Sequence, residues 1–265
     1  MPGDQLIILA IVQGLTEFLP VSSSGHLVLV GELMDYDQGV AIDVAVHLGS
    51  LLAVIAYFRR DVAFLLRGAA DFIAGRKSEA RRIVLLLALA SIPLVVFGFV
   101  LTASGAVDDL RTSEVIAWTT IIFGIVLWLT DRFGGLRRAF GQIGISDAVV
   151  VGLAQALALI PGVSRSGITM SAARALGFGR TEAARFALLL SIPAILASGA
   201  GVALDLDGGA GDIFSSEALI AAALSAVAAF ISIWFMMALL KRVSMTPFVI
   251  YRLALGAVLL WIAYA

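Results

Sequence analysis

Six apolar stretches in this chain, roughly 41–58, 83–103, 115–130, 186–204, 218–240 and 248–265, are each long enough to cross about 30 Å of hydrocarbon, some with tilt or flanking help. A chain with this pattern is predicted to be an all-α polytopic membrane protein. Composition agrees. Of 265 residues, 61% are hydrophobic and only 14% charged, whereas a soluble domain carries roughly 45–50% apolar and about 25% charged residues. A soluble fold of this size could not hide so much apolar surface, which excludes a soluble enzyme. The net charge of −1 excludes a basic nucleic-acid binder, so no nucleic acid is expected as a partner. Cysteine is absent, which excludes disulfides, thiolate metal sites and cysteine nucleophiles. The opening MPGDQLIILAIVQGLTEF lacks a basic n-region and a small-residue cleavage site, so no cleaved signal peptide is expected.

Two further apolar regions, 4–34 and 143–178, do not read as single spans. Pro, Gly and Ser interrupt them at FLPVSSSGH (18–26) and IPGVSRSG (160–167). Non-helical backbone at membrane depth is tolerated only inside protein or against a wet cavity. Both regions therefore read as re-entrant helix hairpins with the broken stretch at the tip. Loop charge gives the orientation. The connection 59–82 holds Arg59, Arg60, Arg67, Arg76, Lys77, Arg81 and Arg82, and 131–142 holds Arg132, Arg137 and Arg138. Lys241 and Arg242 open a third basic connection. All three are expected in the cytoplasm, with Arg and Lys of 59–82 acting as orientation determinants first and lipid-headgroup contacts second. The connections 104–114 and 205–217 are acidic and are expected outside, the second beginning with a flexible Gly-rich loop.

These sides agree with alternation along the six spans. They also make the first hairpin start and end outside and the second start and end inside. Each half is then one hairpin plus three transmembrane helices, with opposite topology, in one membrane domain (repeat one about 1–130, repeat two about 143–265). VSSSG at 21–25 aligns with VSRSG at 163–167, and Gln13 aligns with Gln155 at the same offset. This is the inverted-repeat pattern with broken helices meeting near the midplane. A second short repeat, SIP at 91–93 and 191–193, does not fit that pairing and reads as coincidence or a helix-kink preference.

Ionisable groups inside a membrane are expensive and point to function. The first hairpin offers Gln13, Glu17 and His26 with Ser22, Ser23 and Ser24; Gln13 and Glu17, at i and i+4, share a helix face. The second tip offers Ser164, Arg165, Ser166 and Thr169. If the tips meet, a carboxylate, an imidazole, hydroxyls and a guanidinium share one pocket. Arg binds phosphate oxygens bidentately, and hydroxyls and helix N-termini bind them too. A Glu can hold Mg²⁺ or Ca²⁺ on a diphosphate, and a hydroxyl beside a His can attack phosphorus. The set suits phosphoryl transfer on a lipid-borne phosphate.

EFLPVSSSGH at 17–26 and PGVSRSG at 161–167, with HLGSLLAV at 47–54 and TPFVIYR at 246–252, resemble the bacterial undecaprenyl-pyrophosphate phosphatases of the bacitracin-resistance type, over nearly the whole chain. The resemblance implies an inner-membrane hydrolase that converts undecaprenyl diphosphate to undecaprenyl phosphate and inorganic phosphate, recycling the carrier lipid for wall polymers. It implies catalytic roles for Glu17, Ser23, His26 and Arg165, and phosphate contacts from Ser22, Ser24, Ser164, Ser166 and Thr169. It implies a divalent cation, Mg²⁺ or Ca²⁺, on Glu17 and Gln13, a site reached from the outer face, and room for a homodimer. Either Ser23 is the nucleophile with His26 as base, or His26 is the nucleophile and the serines bind. Two departures stand out. Gln13 occupies a position where relatives often carry a second Glu, and Arg185 occupies one where many relatives have Glu.

Two other functions fit the pattern: a transporter of the lipid headgroup, whose architecture inverted repeats also serve, and a weakened paralogue that only binds carrier lipid. Other polar residues have simpler readings. Asp43 and His47, one turn apart, form a hydrogen bond that holds their helix. Tyr251 and Arg252 are interfacial anchors. Gln155 is a structural hydrogen-bonder.

Overall fold

The structure is a computed structural model and describes residues 3–34, 40–105, 110–135, 137–205 and 215–265. Eleven α-helices account for nearly all of them: α1 Gly3–Thr16, α2 Ser23–Met34, α3 Val40–Tyr57, α4 Arg59–Ile73, α5 Glu79–Ser104, α6 Ser113–Phe133, α7 Ile145–Ala156, α8 Arg165–Ala175, α9 Arg180–Asp205, α10 Ser216–Leu240 and α11 Thr246–Tyr264. Five of them, α5, α6, α9, α10 and α11, are long and apolar enough to cross a membrane, and α3 with α4 makes a sixth candidate bent by 93°. Large apolar side chains line the outside, among them Phe99, Trp234, Ile250 and Trp261. The chain is a multi-pass membrane protein, because only lipid can cover such a surface.

Both interrupted regions fold as pairs of short helices around a break. The first is α1 and α2, packed together around the break 17–22; the second is α7 and α8 around 160–164. Their helices have 14, 12, 12 and 11 residues, or about 16–21 Å each at 1.5 Å per residue, too short to span a bilayer and long enough to reach its middle. One side chain ties the two ends of the second hairpin together. Arg138 Nη1 donates both to Asp147 Oδ1 at the start of α7 (2.8 Å) and to Leu176 O just past the end of α8 (3.0 Å).

The helix α9 lies at the centre. Its apolar window is 56% buried in protein, against 28–39% for the other four long spans. Phe186, Leu188, Leu189 and Leu190 make it part of a core that also takes Phe18 and Val21 from the first tip and Met236 from α10. Around it, α3 and α1 pack on α10, α5 packs on α7, and α6 packs on α11. Gly49 sets the closest of these crossings: a Cβ there would collide with the backbone of Ala222 on α10.

The connection 59–82 is more than the charged linker its arginines suggested. It opens with α4, whose exposed side carries Leu66 and Ile73 beside Arg60 and Arg67, and whose Gly68 packs on Ala80. Counting charge alone overlooked the helical period. The repeated SIP sequences fall inside α5 and α9, with Ser91 and Ser191 donating to the carbonyls of Leu87 and Leu188. The acidic residues at 106–109 and most of the Gly-rich loop after 205 lie outside the described residues.

Candidate active site

Each tip ends in a serine that turns the chain into the next helix. Ser22 has φ +71° and Ser164 has φ +69°, the positive values among described non-glycine residues. That region costs an L-residue roughly 1–2 kcal/mol, and the hydroxyl offsets part of it by capping. Ser22 Oγ accepts from Gly25 N (3.4 Å), and Ser164 Oγ accepts from Gly167 N (3.2 Å). Each cap also pairs with the serine two residues on, Ser22 with Ser24 (3.1 Å) and Ser164 with Ser166 (3.2 Å). The first turns of α2 and α8 leave backbone N–H groups without an intrahelical acceptor, which suits them to an anion.

Three contacts join the tips. Ser24 Oγ accepts from Gly162 N (2.9 Å), Ser166 Oγ donates to Leu19 O (2.9 Å), and the Arg165 guanidinium forms an ion pair with Glu17 Oε1. The other carboxylate oxygen, Oε2, accepts from Gln13 Nε2 (2.8 Å) and from Ser23 Oγ (3.1 Å). The tips thus meet, and Glu17, Ser23 and Arg165 form one cluster.

Other expected residues are placed differently. His26 does not hydrogen-bond Ser23. Its Nδ1 donates to Ser22 O (2.7 Å), which leaves Nε2 to accept from Tyr251 Oη (2.7 Å), with the two rings nearly parallel. Thr169 uses its hydroxyl hydrogen on its own helix, at Arg165 O (2.7 Å). Ser24 and Ser166 serve as staples between the tips.

Three side chains assigned only structural readings from the sequence reach the site. His47 lies beside Glu17, with Nε2 3.0 Å from Gln13 Nε2 and 3.9 Å from Glu17 Oε2. Tyr251 holds His26. Arg252 is wholly buried behind the second tip, so the interfacial-anchor reading is overturned for it. Its guanidinium donates to Thr120 O (3.0 Å), Val163 O (3.1 Å) and Gly162 O (2.9 Å), tying the tip to α6. An arginine in the interior of an apolar span was the signal that could have found it. Gln155, the counterpart of Gln13, is buried and donates to Ala90 O (3.4 Å).

Comparison with known proteins bears on this arrangement. The family model for bacitracin resistance protein BacA matches residues 6–258. The chain belongs to the BacA family. Relatives called undecaprenyl-diphosphatase are similar along their full length. The one from Jannaschia sp. (strain CCS1) is 50% identical over 98% of each chain, and that from Ruegeria sp. (strain TM1040) is 50% identical over 100% of each. The one from Alcanivorax borkumensis is 49% identical over 99% of this chain and 100% of its own.

A divalent cation in this BacA-family chain would find a sparse but suitable donor set. Glu17 supplies a carboxylate, and Gln13 Oε1 is buried with no hydrogen-bond partner. Among the described residues no three His, Cys, Asp or Glu side chains gather as a metal cage. Two protein oxygens leave the remaining positions to diphosphate oxygens and water, as hard cations on phosphates commonly have it. The second departure, Arg185, lies at the base of α9, where it pairs with Asp61 of α4 and, at 3.6 Å, with Glu182. It ties α4 to α9 and takes no part in the tip cluster.

Proposed function

We propose that this chain is an undecaprenyl-diphosphatase: a membrane hydrolase that splits undecaprenyl diphosphate into undecaprenyl phosphate and inorganic phosphate, recycling the carrier lipid for wall synthesis and conferring bacitracin resistance. The observation that carries the reading is the ion pair of Arg165 with Glu17 across two hairpin tips, in a chain of the BacA family. Arg165 and the N-termini of α2 and α8 bind and neutralise the diphosphate. Ser23 Oγ attacks the terminal phosphorus and passes its proton to Glu17. The bond from that phosphorus to the bridging oxygen breaks, and undecaprenyl phosphate leaves. Water then attacks the phosphoserine, the bond from phosphorus to Ser23 Oγ breaks, Glu17 returns its proton to that oxygen, and inorganic phosphate leaves. The hydrogen bond from Ser23 to Glu17 supports serine as nucleophile, and so does the engagement of both His26 nitrogens by Ser22 and Tyr251. A Mg²⁺ or Ca²⁺ on Glu17 and Gln13 would neutralise diphosphate charge.

The fold is read as two inverted repeats, each a re-entrant hairpin plus three spans. Support comes from the matched positive-φ serines, from Gln13 and Gln155, both buried with an unpartnered Oε1, and from the packing of α6 on α11 as equivalent last spans. Loop charge orients the molecule in the plasma membrane with the first hairpin entering from outside, so the site is reached from the outer leaflet.

The test is phosphate release from undecaprenyl diphosphate by the purified chain in detergent. Stoichiometric release is expected. No release would leave a transporter or a lipid binder.

A further inference from the structure

His47 touches the Glu17 cluster from outside both motifs. Its Nδ1 is 2.8 Å from Asp43 O and 3.3 Å from Asp43 Oδ1, and its Nε2 is 3.0 Å from Gln13 Nε2. Gln13 Nε2 is in turn 2.8 Å from Glu17 Oε2. The direction of these bonds follows from what each atom can do. Glu17, paired with Arg165, is an acceptor. The Gln13 atom against it is therefore the amide nitrogen, since an amide oxygen would set two acceptors face to face. An NH₂ group has two hydrogens. One goes to Glu17, and the other points at His47 Nε2, which has to accept it. The ring proton then sits on Nδ1, where Asp43 takes it.

The relay Asp43–His47–Gln13–Glu17 has a mechanical consequence. Arginine and carboxylate favour a two-pronged pairing with both oxygens on the guanidinium. Such a pairing would turn Oε2 away from Ser23. Gln13 holds Oε2 back, and His47 holds Gln13. We infer that His47 is a positioning residue for Glu17, acting through Gln13, with Asp43 fixing its tautomer. The inference rests on the proposed role of Glu17 as the base for Ser23 in diphosphate hydrolysis.

A bond that merely ties α1 to α3 would affect stability alone, so the tests read other quantities. His47→Leu removes the acceptor and should lower kcat at least about tenfold while KM stays within about twofold. His47→Gln puts an amide oxygen where Nε2 was and should stay within about threefold of the unaltered kcat. In a Gln13→Leu background, His47→Leu should cost nothing further. An unchanged kcat in His47→Leu, an equal loss in His47→Gln, or additive losses in the double variant would each overturn the inference.

A spectroscopic test needs no activity. The chain has two histidines. In ¹⁵N-histidine-labelled full-length protein, with His26→Gln used to assign the signals, His47 should be neutral and protonated on Nδ1, and its Nε2 signal should shift in Gln13→Leu. A proton on Nε2 would overturn the relay even in a protein that proved to release no phosphate. Absence of phosphate release with the expected spectrum would instead count against the diphosphatase reading.

Discussion

Arg165 and Arg252 bring the same guanidinium to the same hairpin tip and meet different partners there. Arg165 is partly open and faces a carboxylate, whereas Arg252 is sealed among backbone carbonyls. Arg165→Lys keeps the charge but loses the planar fork; phosphate release should fall well over tenfold with the protein still folded and inserted, and near-normal turnover would remove Arg165 from the site. Arg252→Lys would be a mild control for an interfacial arginine. Buried as it is, this change should instead lower thermal stability in detergent, by about 3 kcal/mol for roughly two lost charge-assisted hydrogen bonds. An unshifted unfolding temperature would contradict that placement. Gln13→Glu sets a second carboxylate beside Glu17, so activity without added cation should drop. The Mg²⁺ or Ca²⁺ concentration for half-maximal activity should also fall, while the cation-saturated rate should drop as well, because the amide donor that links His47 to Glu17 is lost. Glu17→Gln should nearly abolish turnover. If the first change leaves the cation dependence alone and the second keeps most of its rate, the 13–17 face does not hold the ion. Glu17 and Arg165 were legible because charge in an apolar stretch demands a reason. The bond between His26 and Tyr251 spans 225 positions, and nothing local to either residue announces it.

At the scale of elements, the two breaks do more than interrupt helices. Each needs one residue in the left-handed region and one cap on the next helix, and Ser22 and Ser164 supply both. Ser164→Ala keeps the strain and loses the cap, and should cost about 1–2 kcal/mol of stability. Ser164→Gly loses the same hydroxyl but relieves the strain, and should cost less. Thermal unfolding of the two variants side by side checks the order; an alanine variant more stable than the glycine one would contradict the backbone argument. The breaks could be read from sequence because Pro, Gly and Ser gather inside long apolar runs, and the hairpin boundaries followed. The helix α4 could not be read by the same means. Its basic residues dominate the composition of 59–82, and its apolar face shows only when residues are set out at 100° intervals.

At the scale of the whole molecule, the proposed orientation from loop charge, with an even number of spans, predicts both termini outside the cytoplasm. A C-terminal reporter that is active only in the cytoplasm should stay dark, and a bright one would break the inverted-repeat reading, since the halves would no longer oppose each other. The candidate spans came from long, strong signals. Which helices touch did not, because packing of α3 on α10 or α6 on α11 depends on small residues such as Gly49 and Gly124, whose partners lie more than a hundred positions away. Tip-to-tip assembly is the central claim, with Ser23 of the first hairpin attacking a diphosphate held by Arg165 of the second. The most direct measurement is a rapid acid quench of the enzyme turning over substrate labelled in its terminal phosphate, followed by mapping of the labelled peptide. The account predicts an acid-stable phosphoserine at Ser23. An acid-labile label on His26, or a label on a residue outside the first hairpin, would contradict it.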